Sequence, residues 1–290
     1  MGFSSLFSIF LISSFLFYVR IKMSFSIVTI ATEYKVGYLP NLDKSCRENN
    51  IDFTILGMGK RWDGFIMKFK LMSEFLETKK DTDIVIFVDG YDVLLLHCKD
   101  IISRFRTFKK PIVFSIDDRK DDNFFIDYLR RRMFGKSPVN TGGYIGYVWA
   151  LKKLFNKIKS RCDFNDEGTD DQKCIAEMAN TQYKPFENLV ALDVNMIIFR
   201  TLPVHLITSC SDYTKYIKGE PNFVHGPANA DMSSIVEKYN LQTDIESDFR
   251  KGHLLKAVKV YGGFFIPDII ITILLIIIII LLVHNARKKR

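Results

Sequence analysis

The 290-residue sequence predicts an α/β fold. Apolar, β-branched runs alternate with segments of helical spacing, and the run Ile84–Val88 is apolar at every position before it stops at a carboxylate, Asp89. A strand apolar on both faces is covered on both faces, as in the parallel sheets of α/β proteins. Ligand chemistry in such folds gathers at the carboxyl ends of the strands.

The elements follow in order. Residues 26–31 form a first strand and Asp52–Leu56 a second, followed by a glycine-rich loop over 57–64. Ile66, Phe69, Met72, Phe75 and Leu76 recur at helical spacing and predict a helix over 66–77. Ile84–Val88 is read as a fully buried parallel strand. A helix at 100–108, a strand at 111–115 and a helix over Phe124–Phe134 come next. Asn140-Thr141-Gly142-Gly143 reads as a tight turn. Helices near 149–160 and 170–179 precede a strand-like stretch at 189–199, and residues 241–263 are mixed and polar.

A chain that is 48% hydrophobic and 26% charged is not disordered. The net charge of +8 is concentrated at the ends, since residues 23–263 carry 35 basic against 32 acidic side chains. No nucleic-acid footprint follows from that balance. Residues 264–283 are apolar on every face apart from Asp268, and a basic tail follows at 287–290. About 20 such residues cross a bilayer core. Residues 3–19 are a weaker apolar run with no basic leader and no small-residue cleavage site, so the expectation is an anchor or an upstream extension before Met23. The expected organisation is therefore a signal- or anchor-like segment at 1–22, a catalytic domain at 23–240, a juxtamembrane linker at 241–263, a transmembrane helix at 264–283 and a basic tail at 284–290.

The expected location is the membrane, with the side of the domain left open. The C-terminal basic cluster wants the cytosol, whereas Arg20 and Lys22 pull the domain itself there. The absence of an N-x-[ST] sequon leans towards a cytosolic domain. Five scattered cysteines (Cys46, Cys98, Cys162, Cys174, Cys210) read as free thiols, and a Cys162–Cys174 bridge would need a lumenal setting.

Asp89-Gly90-Tyr91-Asp92 places two carboxylates three positions apart where the most buried strand ends. Such a pair can converge on one hard cation, although an isolated D-x-x-D is more often a turn that caps its own backbone. The wider pattern bears on that choice. Phe87-Val-Asp-Gly-Tyr-Asp-Val93, Val139-Asn-Thr-Gly-Gly-Tyr-Ile-Gly146, Asp170-Asp171-Gln172, Ala191-Leu-Asp193 with Ile198-Phe199, and His225-Gly226 occur in this order. Together they resemble the glycosyltransferase domain of the procollagen lysine hydroxylase/glycosyltransferases over roughly residues 26–240.

The resemblance implies a GT-A type, Rossmann-like domain with a mixed sheet, which the C-terminal transmembrane helix would anchor. It implies transfer of glucose or galactose from a UDP-sugar, with Mn²⁺, to a protein or glycan hydroxyl such as collagen-like hydroxylysine. Asp89, Asp92 and His225 would then be metal ligands. Thr29 and Ala31 would seat the uridine, Trp62 and Tyr91 would stack on uracil, and Lys68 would meet phosphate. Gly143 and Gly226 would let backbone approach the donor, and Asn140 would hydrogen-bond the sugar. Asp171 would orient or deprotonate the acceptor, with Asp170 beside it or serving only as a helix cap.

The sequence also departs from the family pattern. The glycine triplet before the lysine is missing, the segment after the 111–115 strand reads Ile116-Asp117-Asp118-Arg119-Lys120, and the lysine that closes the His-Gly motif is absent. The alternative these departures raise is a catalytically inactive nucleotide-sugar-binding or structural membrane protein.

Overall fold

The computed structural model describes residues 25–118, 124–203, 212–227 and 230–247. The apolar runs at 3–19 and 264–283 lie outside them. Among the described residues no helix is long and apolar enough to cross a membrane.

The strands are β1 (Phe25–Ile30), β2 (Asp52–Leu56), β3 (Ile84–Val88), β4 (Val93–Leu95), β5 (Ile112–Ile116), β6 (Val139–Tyr147), β7 (Val190–Leu192), β8 (Phe199–Thr201) and β9 (Phe223–His225). The helices are α1 (Leu39–Glu48), α2 (Met67–Glu77), α3 (Ile101–Thr107), α4 (Phe124–Phe134), α5 (Val148–Lys159), α6 (Asp171–Asn180), α7 (Lys184–Leu189) and α8 (Ser233–Lys238). Six strands form one sheet in the order β2-β1-β3-β6-β5-β7, and β4-β9-β8 form a second.

The main sheet is mixed. β2, β1 and β3 run parallel, whereas β6 is antiparallel to both β3 and β5. The reading of β3 as a purely parallel strand is corrected on that side. Its burial held, because helices cover both faces. Val85 and Phe87 point into a core with Phe69, Phe114, Tyr144 and Phe155, while Ile84, Ile86 and Val88 point into another with Leu42, Cys46, Phe105 and Phe223. That alternation is the period-two pleat of a strand packed on both sides. A third cluster, with Tyr38, Leu94, Val224, Met232 and Leu241, closes the second sheet.

Three local readings change. The predicted turn at 140–143 lies inside the long strand β6. The stretch 189–199 divides into β7 of the first sheet and β8 of the second. Cys162 and Cys174, read as free thiols, form a disulfide between the end of α5 and the first turn of α6.

Asp193 makes the switch between sheets. It is fully buried, and its carboxylate accepts the N–H groups of Ile197, Ile198 and Phe199 at 2.8–2.9 Å. Each buried donor left without its acceptor costs about 1–3 kcal/mol. Asp193→Ala is therefore expected to lower stability by at least about 3 kcal/mol, read as a shifted urea midpoint at unchanged slope.

Candidate active site

The site forms where β3 ends. The chain turns through residues 89–92 and enters β4, which pairs antiparallel with β9 so that Val93 lies opposite His225. Gly226 N–H donates to the Asp92 carbonyl at 2.8 Å, which ties the two segments together. Asp89, Asp92 and His225 thereby bring one ligand atom each within 4.8 Å of one another. His225 Nε2 lies 3.4 Å from Asp92 Oδ2.

Lys68, near the start of α2, points into this cluster. It is 9% exposed, so it is not a solvated helix lysine. Its Nζ lies 2.7 Å from Asp89 Oδ1 and 3.5 Å from Asp171 Oδ2. Burial works to lower the lysine pKa, but Asp171 and Asp89 outweigh it and hold the ammonium above its usual range. The Asp171 carboxyl is raised as well: burial lifts it, opposed by Lys68. Burial would lower His225, yet the neighbouring Asp92 and Asp89 carboxylates raise it.

Whether a divalent cation suits these residues can be judged from charge and satisfaction. Asp89, Asp92 and Asp171 face one ammonium, which leaves two negative charges when His225 is neutral. Buried His225 Nδ1 has no hydrogen-bond partner among the described residues. Two carboxylates and an imidazole with an unsatisfied nitrogen form a donor set that fits a divalent cation of intermediate hardness. The residues fit.

The other predicted residues divide. Asp170 is the N-cap of α6, its carboxylate accepting Lys173 N–H at 2.8 Å, while Asp171 is buried at the first position of that helix. The hydroxyl of Tyr91 accepts the N–H groups of Thr32 and Glu33 at 2.8 and 3.0 Å, which fixes the ring beside the end of β1. Trp62 is 39% exposed and meets Phe65 edge-on, so it is not core packing. Gly64, at φ +83°, lets this loop rest on the Glu167 carbonyl, where a side chain would clash.

Thr29 does not offer a hydroxyl donor to a ligand. It is fully buried and donates to the Val88 carbonyl at 2.7 Å, a tie between β1 and β3. Ala31 is buried beside it, its N–H spent on Leu56 O. Gly143 lies in β6 opposite Val88, its Cα facing the Phe199 ring. Asn140 is bound by protein partners at both ends of its amide: Nδ2 donates to Asp117 at 2.8 Å and Oδ1 accepts Gly142 N–H at 2.8 Å.

Asp117 was not singled out for a role by the sequence. Besides Asn140 it meets Arg130 at 3.3 Å and Gln172 at 3.3 Å. Asp118 next to it pairs with buried Arg200 at 2.8 Å. The one signal in the sequence was the run of charges after β5, a place where an apolar strand would ordinarily give way to a plain turn.

Comparison with known proteins agrees with the sequence pattern. The family described as "PLOD GT domain" matches residues 22–226. Procollagen-lysine,2-oxoglutarate 5-dioxygenase 1 of Bos taurus is 28% identical over 158 residues, covering 49% of this chain and 21% of that protein. The Drosophila melanogaster procollagen-lysine,2-oxoglutarate 5-dioxygenase is 27% identical over 188 residues, 61% of this chain and 25% of its own length. The chain thus spans about a quarter of the curated relatives it matches. Among solved structures, a glycosyltransferase involved in glycosylation of the major capsid of PBCV-1 is 13% identical at a TM-score of 0.45, covering 74% of this chain and 99% of that one. That structural likeness is too distant to argue from. With the family matched over most of its length, the chain belongs to the PLOD GT domain family of glycosyltransferases.

Proposed function

We propose that this domain moves a hexose, glucose or galactose, from a UDP-sugar to a hydroxyl acceptor with a bound divalent cation, Mn²⁺. The observation that carries the reading is the convergence of Asp89, Asp92 and His225 beside buried Lys68 and Asp171. The acceptor is a hydroxyl on a protein or glycan. The relatives' names speak of procollagen lysine, and a collagen-like chain bearing hydroxylysine is one such acceptor to test.

Asp89, Asp92 and His225 would hold the cation, which when bound would supply Lewis-acid stabilisation of a leaving diphosphate. Lys68 keeps its charge throughout, and a buried ammonium offsets negative charge growing on a leaving diphosphate far better than a solvated one. Asp171, buried and raised by that burial, is the carboxylate placed to orient an acceptor hydroxyl or take its proton. Tyr91, held beside the end of β1, would offer a ring face to the base, and exposed Trp62 would offer a second.

The test is UDP release by full-length protein in detergent micelles from UDP-glucose, UDP-galactose and UDP-GlcNAc, with Mn²⁺ or EDTA. Mn²⁺-dependent release from one hexose donor names that donor. Absence of both turnover and calorimetric UDP–Mn²⁺ binding overturns the reading.

We place the domain on the lumenal side of a membrane spanned by residues 264–283. The Cys162–Cys174 disulfide supports an oxidising compartment, and the basic tail at 287–290 then faces the cytosol. Cys174→Ser is expected to cost about 2–3 kcal/mol, as expected for opening a loop of this length. Protease protection in sealed microsomes checks the side: digestion of the domain without detergent excludes the lumen.

A further inference from the structure

Strand β6 leaves its partner β5 where the two approach the site. Phe114 pairs with Tyr144, but the next residue of β5, Ser115, pairs with Asn140, so residues 141–143 bulge out of that ladder. On the other side β6 stays attached to β3, with Val88 opposite Gly143 and Asp89 N–H donating to the Gly142 carbonyl at 3.0 Å. Bulges re-aim what a strand presents. Here Thr141 hydrogen-bonds Asp171 on one face, while Gly142 lies against the His225 ring on the other.

Gly142 sits between the His225 ring and the Asn140 amide. A Cβ there would clash with His225 Cε1 and lie 2.7 Å from His225 Nδ1 and 2.9 Å from Asn140 Oδ1. Its φ is not in the left-handed region, so the reason for glycine is the imidazole and not the backbone. Asn140 fixes the peptide. A carboxylate can only accept and an N–H can only donate, so its contacts with Asp117 and Gly142 determine which way the amide points.

We infer that Asn140 and Gly142 are positioning residues of the cation site, which set the Asp89 backbone and seat the His225 ring, and that Asn140 does this in place of binding sugar. The inference rests on the metal site proposed above. Its physical core is that the Asp117–Asn140–Gly142 chain of hydrogen bonds holds the bulge open at the width of one imidazole. A looser bulge leaves the three ligand atoms without a common focus.

The test uses full-length protein in detergent micelles, titrated with Mn²⁺ alone by electron paramagnetic resonance and melted in EDTA. Gly142→Ala and Asn140→Ala are each expected to weaken Mn²⁺ binding about tenfold to a hundredfold, the range for residues that orient a ligand. Gly142→Ala is also expected to lower the Tm in EDTA, and to lose most of that effect in a His225→Ala background, where the obstructing ring is gone. Should Gly142→Ala fail to fold, recovery of folding in the His225→Ala background supports the inference and continued failure overturns it. Undiminished Mn²⁺ binding by folded Gly142→Ala, or equal Tm losses in both backgrounds, overturns the role of Gly142. Undiminished binding by Asn140→Ala removes Asn140 from it. If wild-type protein binds no Mn²⁺, the metal reading fails on its own, and the thermal cycle still decides whether Gly142 seats His225.

Discussion

Asp92→Ala is expected to weaken Mn²⁺ binding by more than about a hundredfold, beyond the loss typical of residues that merely orient a ligand. The same substitution is expected to leave the metal-free fold as stable as wild type or slightly more stable. Both effects come from one feature. The cluster has three carboxylates around one ammonium, so taking one away relieves repulsion while removing a ligand. Burial works against the charged ring of His225 and Asp92 is the strongest group opposing it, so the substitution eases loss of the ring proton to a cation. Calorimetry with Mn²⁺ and a thermal melt in EDTA read the two halves separately. Unchanged affinity would remove Asp92 from the site. A large loss of metal-free stability would make it a structural residue instead.

Lys68→Met is expected to act in the opposite sense. It keeps most of the buried volume but strips Asp89 and Asp171 of their shared ammonium. Breaking a buried pair from one side costs about 3–5 kcal/mol. Saturating Mn²⁺ should restore part of that loss, since a cation binding only the folded state stabilises it by mass action.

The pH dependence follows from Asp171. Its folded pKa is already raised by burial, with Lys68 opposing, and the variant loses that opposition. A carboxyl whose folded pKa exceeds its unfolded value of about 3.9 binds more protons in the folded state. Stability then falls as pH rises from about 4 through the folded pKa, and the deficit of the variant should shrink in acid. Urea midpoints between pH 4 and 7 measure this. A deficit independent of pH would mean that Lys68 acts by packing alone.

Much of this was legible in local pattern. The continuous apolar run at 84–88 announced a doubly covered strand, and Asp170 just ahead of a helical stretch announced a helix cap, which accepts Lys173 N–H. The spacing of Ile66, Phe69 and Met72 placed α2 to within a residue. Periodicity and capping are properties of neighbouring residues, so neighbouring residues reveal them. The order of the family motifs added His225 to the Asp89–Asp92 pair, although nothing in the spacing brought it to them.

Partner choice, register and residual charge belong to the tertiary structure. Two adjacent glycines favour a turn locally, yet residues 140–143 became a bulged strand because Asp89 N–H, Asn140 Oδ1 and the His225 ring each claimed a side of Gly142. Thr29 offered a hydroxyl on paper, but β3 took its proton first. A lysine near the start of a helix is ordinarily solvated, but α2 turns Lys68 towards Asp89. The sequence by itself determined the α/β class, the strand that ends at the site and the family. Only the tertiary structure decided which side chains are spent on holding the site and which remain for a ligand. Hydrogen bonds and ion pairs between distant strands compete for the same few polar atoms, and that competition is resolved only once the strands have met.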